Sequence, residues 1–404
     1  MDIQFVYQKI YKEFFEKYKI DTFAATDFTN KPPYYLIKNV NPIKKNALPR
    51  GCACFIDQEP IYPNILPWLY KSSQEMMYDV DSSLWEKRLP QHNFQQVIFV
   101  SERSEELKVL RDRVSYFTSG QENTYQTPII YWFYHGYASC DNYREYWKEN
   151  ISVPTSHDKL FICYQNVINP YRWHRIQFQL RLKESGLIDQ GLVSYNPGNN
   201  IKEVIRDSVN MGRVNKDTNQ HVIDNINLLT ESSSIDSNEP NGSMSTWIDI
   251  ANCQRALVHV VSETCFYNGK LHLTEKIFKP IVAMQPFLLL GAKGNLAYLR
   301  EYGFKTFSEF WDESYDDIID NAERIDAVYK ILQNLSELSY EQQCNLRKEM
   351  TPILEHNANI FYYKLKNTVI NELTTNLKKG FVDSGGWDFV QNTDIAHLNK
   401  VLKY

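Results

Sequence analysis

The residues best suited to chemistry form a Thr-Glu-Lys triplet, Thr274, Glu275 and Lys276, near the start of HLTEKIFKPIVAMQPFLLLG (272–291). Thr274 is a favourable helix N-cap, and Glu275 just inside it suits the positive end of a helix. A helix N-terminus beside a lysine can bind a phosphate group, because the backbone N–H groups and the ammonium both attract negative charge. The triplet therefore predicts an anion site. The alternative is that Glu275 and Lys276 simply cap a surface helix.

Other polar residues would reach the same place if the ends of the predicted strands meet at one cleft. Two arginines, a lysine and a helix N-terminus would together seat a diphosphate, and Glu275 would accept hydrogen bonds from ribose hydroxyls. The candidate binding residues are Arg172, Arg175, Glu263, His272, Thr274, Glu275 and Lys276. Neither a G-x-G-x-x-G sequence nor a Walker motif occurs, which argues against NAD-dependent enzymes and P-loop ATPases.

An α/β framework must position these residues, because apolar strand-like runs alternate with helical stretches along the chain. The predicted strands lie in CACFIDQEPIYP (52–63), QQVIFV (95–100), TPIIYWFYHGY (127–137), KLFICYQ (159–165), GLVSYN (191–196), ALVHVVSET (256–264) and PFLLLG (286–291). Alternation of this kind is typical of parallel sheets, in which ligands gather at the carboxyl ends of the strands.

The domain organisation is predicted from the same alternation. An α/β domain over residues 1–150 is followed by a polar linker candidate, ENISVPTSHD (149–158). A second α/β domain spans 158–330, and a helical segment over 331–404 packs back on the domains. The expected architecture is two open, Rossmann-like parallel-sheet domains that face a cleft.

Composition limits the class of protein. A length of 404 residues suffices for two domains with separate cores, and a net charge of −5 gives no global attraction to nucleic acid or anionic membranes. Seven scattered cysteines without paired metal-binding spacing predict free thiols in a reducing compartment. No apolar run approaches the roughly 20 residues of a membrane helix, and no signal-peptide pattern is found. A soluble, cytoplasmic protein is expected.

Two stretches, TEKIFKPIVAMQPFLLLG and LAYLREYGFKTFSEFWDESYD, resemble the nucleotide-sugar half of fucosyltransferase-like glycosyltransferases, of a branch frequent in phages and large viruses. KLFICYQNVINPYRWHRIQFQLRLKESGLIDQGLVSYN looks like the opening of that half, so the resemblance covers roughly 159–325. In that family a Glu-Lys pair holds the ribose and diphosphate of the donor, which corresponds to Glu275 and Lys276. An arginine from the first helix contacts the diphosphate, which corresponds to Arg172 or Arg175.

The resemblance implies a glycosyltransferase of the GT-B type, inverting, with no essential metal and no cofactor besides the nucleotide-sugar donor. The domain over 158–330 would bind that donor, and the domain over 1–150 would bind the acceptor. His272 stands where many members carry a tyrosine, which leaves open the nucleobase and the sugar of the donor. The only D-x-D sequence, DVD (79–81), precedes a helix-like segment rather than following a strand, which also favours a metal-free site.

An inverting transfer needs one carboxylate or histidine to take the proton of the attacking hydroxyl. The candidates at predicted strand ends of the first domain are Glu59 in DQEP, His135 in FYHG, and Asp141 shortly after it. Each has a structural alternative: a turn carboxylate for Glu59, a hydrogen-bonded core histidine for His135, and a helix cap for Asp141. We rank Glu59 first as the base, because Pro60 stiffens the turn that holds it.

The acceptor is a hydroxyl, and a glycan is the default that the resemblance implies. A second hypothesis is a viral DNA-modifying enzyme that acts on hydroxymethylated bases, with Lys44, Lys45 and Arg50 against the backbone. A third is a non-catalytic protein of the same fold that binds sugar or protein.

Overall fold

The chain divides into two units, Met1–Ala138 with Asn367–Tyr404, and Ser139–Lys366. A computed structural model describes residues 133–383 except 199, 211–215, 236–245 and 267–269, together with the strand segments Ala53–Gln58, Gln96–Ser101, Arg103–Ser104 and Ile129–Tyr131. The strands are numbered β1 to β9 and the helices α1 to α10 in chain order over these residues.

The first unit contains a parallel sheet of three described strands, β1 (Ala53–Gln58), β2 (Gln96–Ser101) and β4 (Ile129–Tyr131), in that order. A two-residue strand, β3 (Arg103–Ser104), lies between β2 and β4 in the chain. Apolar runs such as CACFI and the β-branched VIFV favour buried parallel strands. The predicted parallel sheet is confirmed for these strands.

The predicted strand over 127–137 is wrong in its second half. The strand ends at Tyr131, and helix α1 (Tyr134–Asn142) follows almost at once. The N–H of Tyr137 donates to the carbonyl of Phe133 (3.2 Å), and both side chains are buried. Packing of aromatic residues one helical turn apart outweighs their strand propensity, which is a weak determinant by itself. His135 therefore lies on a helix rather than at the end of a strand.

The second unit contains a fully parallel sheet in the order β6-β5-β7-β9 among the described strands. The bounds are β5 Lys159–Gln165, β6 Gly191–Tyr195, β7 Ala256–Ser262, the two-residue β8 Lys270–Leu271, and β9 Phe287–Leu290. All of β7 and β9 is buried, as expected for parallel strands covered on both faces. Gly191 is required in β6, because a Cβ there would lie 2.3 Å from the ring of Phe161. The predicted α/β class with parallel sheets is thus confirmed.

The described residues also form helices. After α1 they are α2 Trp173–Glu184, α3 Ile201–Asn210, α4 Lys216–Asp224, α5 Ile250–Arg255, α6 Glu275–Val282, α7 Asn295–Glu301, α8 Asn321–Ser336, α9 Tyr340–Asn359, a π-helical turn Ile360–Leu365, and α10 Lys366–Asp383. Most of α2 is buried, and α8 packs against it.

The division into units differs from the predicted domain bounds. The linker candidate 149–158 and residues 331–366 of the C-terminal helical segment belong to the second unit, whereas residues 367–404 belong to the first. Helix α8 packs on α2, and Arg347 of α9 donates to the backbone carbonyls of Ser156 (3.0 Å) and Ala256 (2.6 Å). Polar composition marks residues 149–158 as a loop, but only these long-range contacts determine which core the loop belongs to.

Candidate functional site

A pocket of about 360 Å³ lies at the carboxyl edge of the second sheet. Tyr164 near the end of β5, Ser194 near the end of β6 and Ser262 at the end of β7 all line it. This is the edge of a parallel α/β sheet at which ligands bind. The pocket is therefore the strongest candidate for a functional site among the described residues.

The charged residues that line this pocket are mostly basic. The basic residues are Arg172, Arg175, Lys276 and Lys279, and the acidic residues are Glu275 and Asp249. The Nζ atom of Lys276 lies 2.8 Å from Oε1 of Glu275 and 3.0 Å from Oγ1 of Thr274. Asp249 caps helix α5 and accepts hydrogen bonds from the main chain and side chain of Asn252. The remaining excess of positive charge favours an anionic ligand.

The N-terminus of helix α6 opens beside these cations, and Thr274 caps it as predicted. Oγ1 of Thr274 accepts from the N–H of Lys276 (3.4 Å). The buried carboxylate of Glu263 in turn accepts from the N–H (3.0 Å) and Oγ1 (2.7 Å) of Thr274, and from the N–H of Thr264 (3.2 Å). Glu263 thus fixes the position of the helix start through contacts made within the protein itself.

Arg175 is a buried clamp between strand ends. Its guanidinium donates to the carbonyls of Val167 (2.9 Å) and Ser262 (3.0 Å), which follow β5 and end β7. Burial, together with the neighbouring charge of Arg172, lowers the pKa of Arg175 to about 9. Arg172 stands at the N-cap position of α2, is only partly buried, and lines the same pocket. Of the two arginines, Arg172 is the better placed to contact a ligand.

The structure brings together Arg172, Arg175, Glu275 and Lys276 of the predicted donor-binding residues. Glu263, His272 and Thr274 are buried and do not belong to the described lining of the pocket. Their predicted contact with a donor stays a prediction, and in this structure Glu263 and Thr274 support the helix start instead.

The predicted base candidates have different surroundings. Glu59 lies outside the described residues. His135 is buried in α1, which begins one residue before it. Asp141, in the last turn of α1, accepts through Oδ1 from Lys366 (2.6 Å) and Arg144 (2.6 Å). The ion pairs make Asp141 an anchor of its helix, rather than the cap that was its structural alternative.

Several lining residues were missed from the sequence. Lys279 lies one helical turn after Glu275, and this spacing alone could have placed it on the same face. Ser194 and Ser262 have buried hydroxyls without a hydrogen-bond partner in the described part of the protein. Leaving a buried hydroxyl unpaired costs about 1–3 kcal/mol, so such groups mark a place where a ligand or water bonds. Ser262 stands at the end of the predicted strand ALVHVVSET and was expected at the cleft on that ground, whereas nothing in the sequence distinguishes Ser194 from other serines.

His259 on β7 also lines the pocket and predicts a pH effect on stability. Burial, and then the charge of Lys279, lower its pKa from 6.5 to about 3. Below the ordinary pKa of 6.5, His259 is protonated in the unfolded chain but stays uncharged in the folded protein. The free energy of unfolding should therefore fall as the pH drops from 6.5 toward 3, by up to about 1.4 kcal/mol per pH unit.

The measurement is urea denaturation of the wild type and His259→Gln at a series of pH values. Glutamine does not titrate, so the variant should lose stability less steeply with acid. Carboxylate titrations common to both proteins cancel in the difference. An identical pH dependence of the two proteins would contradict the buried, uncharged state of His259.

Among the described residues, no group of three or more His, Cys, Asp or Glu side chains is arranged to hold a metal ion. Over the same residues, no helix has the length and apolar character needed to cross a membrane.

No family model matches the chain, and no curated protein matches it. Two solved structures are similar in part. One, described as the OtsA apo structure, has a TM-score of 0.36 at 11% identity, over 86% of this chain and 80% of the other. The second is an alpha,alpha-trehalose-phosphate synthase (UDP-forming) from Burkholderia vietnamiensis, with a TM-score of 0.33 at 10% identity, over 85% and 72%. Similarities this low do not assign an activity to this chain.

Proposed function

We propose that this protein is a glycosyltransferase of the GT-B type, which moves a sugar from a nucleotide-diphosphate sugar to a hydroxyl acceptor. The observation that carries the proposal is the basic pocket at the carboxyl edge of β5, β6 and β7. Its position, its excess of positive charge and its two unpaired serine hydroxyls together suit a nucleoside diphosphate.

The binding mode follows from the residues that line the pocket. Arg172, Lys276 and Lys279 contact the diphosphate, which lies at the N-terminus of α6. Glu275 accepts hydrogen bonds from the ribose hydroxyls. These cations and the helix dipole stabilise the charge that develops on the leaving diphosphate, so the transfer proceeds without a metal ion.

The resemblance of residues 159–325 to the nucleotide-sugar half of fucosyltransferase-like enzymes supports the same interpretation, since its Glu-Lys pair falls on Glu275 and Lys276. By that resemblance the transfer inverts the sugar and the acceptor is a glycan. The alternative acceptor, hydroxymethylated DNA, rests on Lys44, Lys45 and Arg50, which lie outside the described residues. Incubation with both acceptor classes separates these two hypotheses.

Lys276→Ala and Glu275→Ala should each weaken nucleoside-diphosphate binding by at least about 1 kcal/mol, because each removes a charge-assisted hydrogen bond. Isothermal titration with UDP and with GDP measures the change. Lys330→Ala is the matched control, because Lys330 is an exposed lysine on α8 outside the pocket. Unchanged affinity in both pocket variants would refute the assignment of the pocket.

The catalytic part of the proposal needs a separate test. A panel of nucleotide sugars should contain one that raises the melting temperature, since a ligand that binds only the folded state stabilises it. With that donor, transfer should continue in excess EDTA. Activity that is lost in EDTA and restored by manganese would overturn the metal-free mechanism. Donor binding without transfer to either acceptor class would favour a non-catalytic sugar-binding protein.

A further inference from the structure

A second surface of the same unit carries three clustered aromatic side chains. The ring of Trp147 lies 5.0 Å from that of Tyr362 and 5.1 Å from that of Tyr363, measured between ring centroids. The three rings line a groove of about 240 Å³. No residue that lines the basic pocket also lines this groove. Trp147 is 49% exposed and Tyr363 is 56% exposed, so both rings present faces or edges to solvent.

The backbone holds these rings at the surface. Tyr362 and Tyr363 lie in the π-helical turn Ile360–Leu365, whose Phe361 and Leu365 side chains are buried. Turns of this kind are rare and occur often at functional sites. Exposed clusters of large aromatic residues likewise mark binding surfaces, because their burial in a complex is favourable.

The rim of the aromatic groove supplies hydrogen-bonding groups. Asn150, Glu355 and Asn359 all line it, and all three are exposed. Their side chains make no hydrogen bond or ion pair with any other described residue. Two amides and a carboxylate offer both donors and acceptors to a ligand with several hydroxyls. Glu355 is the one charged residue in the described lining of this groove, which does not suit a polyanion.

The groove continues into a neighbouring one of about 600 Å³, since Ile151, Met284 and Glu355 line both. The polar residues along this continuation are the neutral Ser152, Thr155, Asn345 and Thr351 and the cations Arg347 and Lys348, of which Arg347 donates to backbone carbonyls. The surface therefore begins at an aromatic platform and extends along hydroxyl and amide groups and the exposed Lys348. An elongated ligand with alternating apolar faces and hydroxyls fits this order of groups.

We propose that this groove binds the neutral hexopyranose units of an oligosaccharide. One sugar lies with its C–H face against the Trp147 ring, and Asn150, Glu355 and Asn359 bond its hydroxyls. The following units extend toward Asn345. The site is separate from the pocket of the proposed function, so either can exist without the other.

Saturation-transfer NMR tests the groove with methyl α-D-glucopyranoside, methyl α-D-mannopyranoside and methyl β-D-galactopyranoside, and with maltotriose and cellotriose. At least one of these sugars should receive saturation. If it is the glucoside, maltotriose or cellotriose should bind more tightly than the glucoside does. Trp147→Ala and Tyr363→Ala should each raise the dissociation constant by about tenfold, as expected for a lost stacking contact. Because both side chains are exposed, the variants should stay folded, and circular dichroism checks this.

Tyr340→Ala is the matched control, since Tyr340 is 56% exposed on α9 but lies outside the groove. It should leave sugar binding unchanged. Absence of saturation with every sugar overturns the proposal, as does equal binding by the wild type and Trp147→Ala. Binding that is lost in Lys276→Ala but kept in Trp147→Ala places the sugar in the basic pocket and likewise overturns the groove assignment.

Discussion

Replacing Arg324 by methionine should lower the free energy of unfolding by roughly 3 kcal/mol or more. Its guanidinium donates to the carbonyls of Gly291 (3.1 Å), Ile318 (2.6 Å) and Phe266 (2.7 Å), and to Oδ1 of Asn321 (2.6 Å). The side chain is 1% exposed, so methionine fills the space but leaves these acceptors without their donor. Relief of the buried charge offsets part of the loss, since burial already lowers the pKa of Arg324 to about 10.

Urea denaturation measures the effect, and Arg181→Met is the control. Arg181 on α2 pairs with Asp326 on α8 (2.8 Å), but its side chain is about one-third exposed. Exposed ion pairs contribute about 1 kcal/mol or less, so the control should remain close to the wild type. Equal losses in the two variants would contradict a special contribution from the buried carbonyl contacts of Arg324.

Replacing Glu59 by glutamine should lower the turnover of the proposed transfer by roughly 100-fold, because the shape is kept and the basicity removed. Strand β1, which pairs in parallel with β2, ends at Gln58, the residue before Glu59 in the sequence. Single-turnover kinetics with the identified donor measures the rate, and titration with the nucleoside diphosphate checks that donor binding is intact.

The comparison variants are His135→Ala and Asp141→Asn. Near-normal turnover in Glu59→Gln with loss in His135→Ala would reverse the ranking of the two candidates. Asp141→Asn should act mainly on stability, since it removes the negative charge that pairs with Lys366 and Arg144. If neither Glu59→Gln nor His135→Ala lowers turnover, Asp141 becomes the remaining candidate for the base. Asp141→Asn must then lower turnover by more than its loss of folded protein explains.

The sequence by itself determined the elements with strong local signals. KLFICYQ and ALVHVVS are continuous apolar runs between polar loops, and both form buried parallel strands. Thr274 caps α6 because a threonine hydroxyl can bond the N–H groups of its own helix start, which requires no distant partner. The positive charge of the site could likewise be predicted from local sequence, because Lys276 and Arg172 adjoin helix starts.

Only the tertiary structure decided what each polar side chain contacts. Arg175 became a clamp because the carbonyl of Ser262, 87 residues away in the chain, lies within hydrogen-bond distance. Glu263 bonds Thr274, and Lys279 and Ser194 line the pocket, because separate strands and helices pair and pack there. A buried polar group must bond whichever partner the fold brings to it, and local sequence does not encode that partner.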